Sequence, residues 1–434
     1  MVVEIPKQPL GELVDNCDNG RVPVREADRH PGPYPYYGAS GIVDYVDKYL
    51  FDGEYLLVAE DGENLRTHNT PIAFLARGKF WVNNHAHIVK GNRYADTRYL
   101  LYAVTATHLG GFLTGSTMPK LTQGNLSRIP IPVPHIAEQR AIASVLGTLD
   151  DKIKLNRRMN ETLEAMARAL FKSWFIDFDP VRAKAEGRDP GLPADIAALF
   201  PDSFPDSDAG EIPNGWTLGV LDQLVDVVLG GDWGKDEETD ETSESVRCIR
   251  GADIPDLQTG GTGKMPVRFL KRTSLEKRRL NDGDVVVEIS GGSPTQSTGR
   301  PVLVSGALLG RLDMPLVCSN FCRLVKLKSP ALSKYVYLWF RSLYANDEFL
   351  QFENGTTGIK NLAFTRFSSD YKLCLPPLQV LEAFDQQASP LFEKQQMNAG
   401  ETNTLSVLRD TLLPKLLSGE LRVKDVQRSK ESLS

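Results

Sequence analysis

Residues 134–174, PHIAEQRAIASVLGTLDDKIKLNRRMNETLEAMARALFKSW, constrain the fold of this chain more than any other stretch. Ile142, Leu149, Leu163 and Leu170 stand seven or fourteen apart, with Val145, Met159 and Met166 as a second row between them. That is a heptad seam with apolar a and d positions, sustained over more than four heptads. No Gly or Pro after Gly147 interrupts it, so the spacing predicts one helix over 136–175. The pattern then recurs. Shifted by 242 residues without a gap, Pro134 falls on Pro376, Ile142 on Phe384, Leu149 on Leu391, Leu163 on Leu405, Met166 on Leu408 and Leu170 on Leu412. Asn156 falls on Asn398, and a polar residue at an a position fixes register at a cost in stability. Two unrelated surface helices share amphipathicity but not register over a whole helix. The chain therefore carries one coiled-coil helix twice. Each copy is long enough to span roughly 58 Å.

The chain of 434 residues holds enough sequence for two to four domains with cores of their own. Apolar residues make up 41% and charged residues 24%, the balance of a soluble protein. No apolar run reaches the ~18 residues of a membrane helix. The opening MVVEIPKQPLGELV has no basic segment followed by an apolar one, which predicts a cytoplasmic chain. Five scattered cysteines, Cys17, Cys248, Cys318, Cys322 and Cys374, fit a reducing compartment. Cys318 and Cys322 lack a second pair, so buried thiols are expected there rather than zinc. A net charge of −6 argues against nucleic acid if taken alone. The acid is local, however: residues 232–241 hold six carboxylates and residues 264–279 hold seven basic groups. Binding follows the local field more than the total.

Taken in order, residues 1 to about 128 read as a globular unit. It has strands at 55–59, 72–76 and 80–82, a helix at 96–109, and the strand-like IPIPVP before the first long helix. Residues 176–215 carry six prolines and read as a linker with one short helix near Ala194–Leu199. A second globular unit follows, with strands at 284–290, 301–305 and 323–328 and a helix at 333–352. The repeat reaches into these units. Leu10-Gly-Glu-Leu-Val-Asp15 resembles Leu221-Asp-Gln-Leu-Val-Asp226, Tyr99 matches Tyr335, and Gly-Ser-Thr before Lys120 matches Gly-Thr-Thr before Lys360. The offset drifts from 211 through 236 to 242, so the framework is duplicated and the globular middles differ.

The sequence resembles the specificity (S) subunit of type I restriction–modification enzymes. The resemblance covers essentially the whole chain. It rests most on YPYYGASGI (34–42), FDGEYLLVAEDGENL (51–65), GKFWVNNHAHIV (78–89) and KSWFIDFDPVRAK (172–184). VRCIRGADIP (246–255), VVVEISGG (286–292) and LLSGEL (416–421) add to it. It implies an α+β fold: two globular target-recognition domains separated by a pair of long helices that form an antiparallel coiled coil, with a pseudo-two-fold internal repeat. The expected segments are a first recognition domain (1–133), a first helix (134–175), a linker (176–215), a second recognition domain (216–375), a second helix (376–423) and a polar tail (424–434). It further implies a non-catalytic DNA-recognition subunit that reads a split, asymmetric site on double-stranded DNA. Such a subunit docks two methyltransferase subunits and, through them, translocase–nuclease subunits. S-adenosylmethionine, ATP and Mg then belong to the partners, and this chain needs no cofactor.

The residues agree that chemistry lies elsewhere. No Asn/Asp-Pro-Pro-Tyr/Phe methylase motif occurs, and the one Pro-Pro pair is Pro376-Pro377. No G-x-x-x-x-G-K-[ST] loop occurs either; GGSPTQSTGRP (291–301) lacks the Lys and the following hydroxyl. A coiled-coil scaffold whose globular ends bind proteins is the alternative from another class, marked by no salt-dependent affinity for DNA.

Candidate DNA-binding residues follow from residue type and place. The loop 289–300 offers small residues for close approach to phosphates, with Ser293, Gln296, Thr298 and Arg300 as polar groups. Arg247, Arg250, Lys264 and Arg268 lie in or before the basic run and suit phosphates. That run reads equally as a solvated surface hairpin. Thr117 with Lys120, and Thr356 and Thr357 with Lys360, occupy equivalent turns before each long helix. They serve to anchor phosphates or only to lead into the helix. Tyr36, Tyr37, Ser40 and Asn84 complete the set in the first domain, although the tyrosines read as packing residues on sequence alone. His85 and His87 form an H-x-H pair with no third ligand nearby, which favours packing over a metal. Phe171, Trp174 and Phe175 form an apolar helix end suited to docking a methyltransferase, and Asn156 and Asn398 are expected to set coiled-coil register.

Overall fold

The structure, a computed structural model, describes residues 5–68, 70–205, 211–291, 296–354 and 359–423. The chain forms two compact units, one of residues 1–153 and 404–434, the other of residues 154–403.

In the first unit the apolar run at 55–59 forms the centre of a sheet. The sheet's strands, in spatial order, are Val14–Asn16, Ala86–Gly91, Phe51–Ala59, Ala73–Val82, Pro31–Gly38 and Gly41–Val46. Neighbours are antiparallel except Pro31–Gly38 beside Ala73–Val82. Side chains alternate across the sheet. Leu56 and Val58 pack with Tyr99, Leu100 and Ala103 of the helix Thr97–Thr105, while Leu57 packs on the other face with Phe80, Val82 and Ile88. Both faces of the central strand are covered, which is why its sequence reads as an unbroken apolar run. Asp96 caps the helix by accepting from the backbone N–H groups of Arg98 and Tyr99. A short ladder of Lys7–Pro9 with Pro130–Pro132 closes the unit onto the first long helix.

The second unit repeats this framework. Its sheet runs Val225–Gly230, Cys322–Leu327, Val285–Glu288, Pro301–Leu303, all antiparallel. The registers correspond. Val14 faces Gly91 as Val225 faces Leu327, and Leu56 lies between Val89 and Leu75 as Val285 lies between Val325 and Leu303. The closing ladder recurs too, with Pro9 opposite Pro130 and Val220 opposite Lys372. The units differ in what each adds to this frame. The first unit adds the pair Pro31–Gly38 and Gly41–Val46. The second adds a three-stranded sheet of Val267–Leu270, Glu244–Ile249 and Leu316–Cys318. The basic run is therefore a strand followed by the helix Arg272–Arg278, not a hairpin.

Two long helices form, Ile136–Phe175 and Leu378–Ser418. Within each unit their segments run antiparallel. In the first, Ile142 and Leu146 pack in one cluster with Leu412 and Leu416, and Arg409 pairs with Asp150 at 2.8 Å. In the second, Phe171, Trp174 and Phe175 surround Phe384, their ring centroids 6.2, 5.7 and 4.9 Å from its own. The row Ile142, Leu149, Asn156, Leu163 and Leu170 lies on the seam, but the second row does not follow Val145, Met159 and Met166. It falls one residue later in each heptad, on Leu146, Ile153, Asn160, Ala167 and Trp174, all buried. Met166 is 51% exposed and its repeat Leu408 43%. The seam's d-to-a step is four residues, so Asn156 stands at a d-type and Asn160 at an a-type position.

The proline-rich stretch 176–215 is not a loose linker. Its described part forms the helices Asp179–Ala185 and Ala194–Ala197 and sends Phe178, Val181, Ile196 and Phe200 into the core of the second unit. Composition marked its turns but not the apolar residues between them.

Candidate DNA interface

Four loops meet at one end of the first unit's sheet. Tyr37 lies beside Val82, and the Asn83 N–H donates to the Tyr37 carbonyl at 3.0 Å, so the turns at 38–41 and 83–85 are neighbours. The Glu60 N–H donates to the His85 carbonyl at 2.9 Å, and the Leu121 N–H to the Glu60 carbonyl at 2.7 Å. The structure thus brings Ser40, Asn84, Thr117 and Lys120 onto one rim, all exposed. Lys120 is half exposed, and its ammonium pairs with Glu60 at 3.2 Å.

Ion pairs beneath the rim hold it in place. Arg21 Nη1 donates to Glu60 Oε2 at 2.6 Å and to the Ala86 carbonyl at 2.8 Å. Buried His87 is bonded through Nδ1 to Asp18 Oδ2 at 2.6 Å and through Nε2 to the Leu121 carbonyl at 2.7 Å. Burial pushes the Asp18 carboxyl up. Hydrogen bonds from His87 and the Ile88 N–H, with the charge of Arg21, more than offset that and hold it below the usual carboxylate range. Burial acts on Glu60 in the same way, and the bonds from Arg21 and Lys120 with the His87 charge hold it low. His85 instead lies in the exposed turn, bonded to Asp61 at 2.9 Å. The H-x-H pair is therefore split between core and surface, and no metal-binding group of three or more side chains occurs among the described residues.

The second unit builds the same rim. The Ile289 N–H donates to the Phe321 carbonyl and the Leu362 N–H to the Ile289 carbonyl, each at 2.8 Å. Gln296 is exposed there, its amide 3.4 Å from the Tyr344 hydroxyl. Lys360 pairs with Glu353 at 3.3 Å, as Lys120 does with Glu60. Each repeated turn thus sets its lysine against a glutamate, a structural role beside any phosphate contact. Ser293, Thr356 and Thr357 lie outside the described residues.

Several expected contact residues are placed otherwise. Tyr36 is 1% exposed and its hydroxyl accepts from the Val24 N–H, so it belongs to the core. Tyr37 is half-buried against Phe74 and Phe80. Thr298 is fully buried, and its N–H and hydroxyl donate to Glu353 Oε1 at 2.6 and 2.8 Å. Arg300 is locked in a two-pronged pair with buried Glu288, both bonds 2.7 Å. Arg268 is buried, lies over the Trp233 ring and pairs with Asp236. Lys271 pairs with Glu241, so the acidic and basic runs partly neutralise each other. Arg247 pairs with Asp313 and Arg250 with Asp253, both half-buried on the added sheet or its loop; Lys264 alone of that group is exposed and without an ion pair among the described residues. Phe171, Trp174 and Phe175 are at most 4% exposed and form core, not a docking patch.

Two rim residues escaped the sequence reading. Arg66 donates to the Gly115 carbonyl at 3.0 Å and braces the Thr117 turn; no local pattern announces it. Phe321 is 51% exposed at the second rim. The offset of 236 that matches Tyr99 with Tyr335 sets it opposite His85, and that was the available signal.

In fold, the chain is similar to a crystal structure of a type I restriction–modification S subunit from M. genitalium. That likeness has a TM-score of 0.59 and 15% identity, and covers 95% of this chain and 96% of the other. In sequence, residues 4–165 match the family model of the type I restriction modification DNA specificity domain. A Haemophilus influenzae chain named as a type I restriction enzyme specificity subunit is 40% identical over 34% of this chain and 37% of its own length. The MjaIX type I restriction enzyme specificity subunit of Methanocaldococcus jannaschii is 25% identical over 91% of this chain and 88% of its own. The resemblance to type I specificity subunits, drawn first from the sequence motifs, is borne out.

Proposed function

We infer that this chain is the DNA sequence-recognition subunit of a type I restriction–modification system. The observation that carries the reading is the duplicated sheet framework. Each copy gathers polar loops at the same end, and each leads through the same short ladder into a long helix. Two unlike recognition surfaces on one repeated frame suit an asymmetric, two-part site, each unit reading one half. The divergence lies where it would change the bases read, in the additions and rim loops, while the frame stays fixed. The long helices would set the spacing between the half-sites.

In this reading the chain itself is non-catalytic and binds no cofactor. Methyltransferase subunits dock on it, restriction subunits join them, and S-adenosylmethionine, ATP and Mg are held by those partners. Adenine-methylation mapping by long-read sequencing tests the reading, in cells carrying the candidate methyltransferase partner with and without this chain. The expected result is a new split motif, two defined blocks around an undefined gap, that appears only with the chain. A stable complex that adds no methylation motif would overturn it.

A further inference from the structure

Arg311 lies in the turn between the short helix Gly306–Leu309 and the strand Leu316–Cys318, inside the second unit. Its Nη2 donates to the neutral Gln396 Oε1 at 3.2 Å, while Nε and Nη1 are buried and make no hydrogen bond among the described residues. It forms no ion pair there either. The other paired arginines of this unit are met by carboxylates: Arg250 by Asp253, Arg268 by Asp236, Arg300 by Glu288 and Arg341 by Glu164. Arg311 as a whole is half-buried, and two guanidinium nitrogens cut off from water without a counter-charge are costly, because nothing replaces the water they lose. Burial, with no neighbouring charge opposing it, pulls its pKa below the ordinary arginine value.

The same residue lines a cavity of about 370 Å³. Its wall also carries Thr262, Asn403 and Arg247. The one carboxylate on the wall among the described residues, Asp313, is taken by Arg247 through two bonds of 3.2 Å. The side chains of Thr262 and Asn403 make no hydrogen bond among the described residues, leaving a hydroxyl and an amide beside an uncompensated positive charge. A doubly or singly charged oxyanion supplies what this wall lacks: a counter-charge and several acceptor oxygens. A guanidinium meets such a group with a planar fork of N–H donors.

We propose that the cavity beside Arg311 is a binding site for a phosphate-type oxyanion, with Arg311 as its principal ligand and Thr262 and Asn403 as supporting donors. The anion is either a free phosphate or a backbone phosphate of bound DNA; the second source rests on the DNA-recognition reading.

The test uses the full chain, wild type and Arg311→Gln, with near-UV circular dichroism to verify that the variant is folded. Removing an unpaired buried charge leaves the apo variant at least as stable as the wild type. In one arm, thermal unfolding is followed in sodium phosphate against sodium chloride at equal ionic strength. A phosphate-specific rise in Tm of about 2–4 °C in the wild type, absent in the variant, identifies a free oxyanion. In the other arm, binding of a 30-base-pair duplex is measured against salt in the presence of the methyltransferase partners. No phosphate-specific rise, but a salt slope lower by about one in the variant, identifies a DNA phosphate. Identical behaviour of wild type and variant in both arms overturns the proposal even where the wild type binds DNA well. A wild-type complex that binds no duplex instead sinks the DNA reading, and the phosphate arm still decides the cavity.

Discussion

Tyr99 and Tyr335 make the same hydrogen bond in different units. Each phenol donates over 2.7 Å to a carbonyl of the short strand that feeds a long helix, Tyr99 to Pro132 and Tyr335 to Cys374. Tyr99 is fully buried and Tyr335 2% exposed, and both acceptors lie in the closing ladder, 242 residues apart. The bond pins the direction in which the chain enters the helix. Replacing either tyrosine by Phe leaves a carbonyl without its donor, so each change is expected to cost about 1–3 kcal/mol. Chemical denaturation of Tyr99→Phe and Tyr335→Phe checks this. Losses that are equal within error would indicate that the repeat is energetic as well as geometric.

Asn398 donates its side-chain amide to Asn160 Oδ1 at 3.0 Å, deep in the helix seam of the second unit. Asn160 in turn donates to the Gln395 carbonyl at 3.1 Å. Replacing Asn398 by Leu orphans the Asn160 oxygen, and a loss of about 1–3 kcal/mol is expected. Replacing both by Leu removes donor and acceptor together and should recover part of the loss, while relaxing the register that the pair enforces. A double-mutant cycle by urea denaturation measures the coupling. Additive single losses would show that the two amides do not act as a pair.

These two contacts show what could be read in advance. The matches Tyr99 with Tyr335 and Leu10 with Leu221 are visible in the sequence because these residues serve the frame that both units share. The helices were visible through their period and their common offset. The second row of the seam was not, because Met159 and Met166 are large and apolar and lie one position away, whereas Asn160 is polar and Ala167 small. Thr298, Arg268 and Arg300 looked like surface ligands because residue type says nothing about a buried partner; Glu353, Asp236 and Glu288 lie 55, 32 and 12 residues away in the chain. Phe171 and Trp174 looked like a docking patch because their cover, Phe384 and Phe200, comes from distant sequence.

The Asp18–His87 pair under the first rim predicts a pH dependence with a definite sign. The folded-state pKa of Asp18 lies below its ordinary value of 3.8. Its contribution to stability is therefore complete above the unfolded pKa and is lost as pH falls through the folded one. Asp18→Asn breaks a buried pair and should destabilise the first unit by about 3–5 kcal/mol at pH 7. The gap between wild type and variant should narrow only below about pH 4. Denaturation of both proteins from pH 7 to pH 3 measures it. A gap that stays constant over that range would mean that hydrogen-bond shape, and not the carboxylate charge, carries the stability.

The two rims predict separable effects on recognition. Ser40, Asn84 and Thr117 are exposed on the first rim, Gln296 and Phe321 on the second, and none is part of the frame or the seam. Alanine at any of them should leave stability within about 0.5 kcal/mol. Loss of a base contact should relax specificity at one position by about 1–3 kcal/mol, roughly a factor of 5 to 160. Methylation mapping with Asn84→Ala should then show degeneracy in one block of the split motif only, and with Gln296→Ala in the other. Phe321→Ala should follow Gln296→Ala, because the two share a rim. If one substitution blurred both blocks together, the units would not be reading independent halves, and recognition would have to be assigned to a surface that neither rim contains.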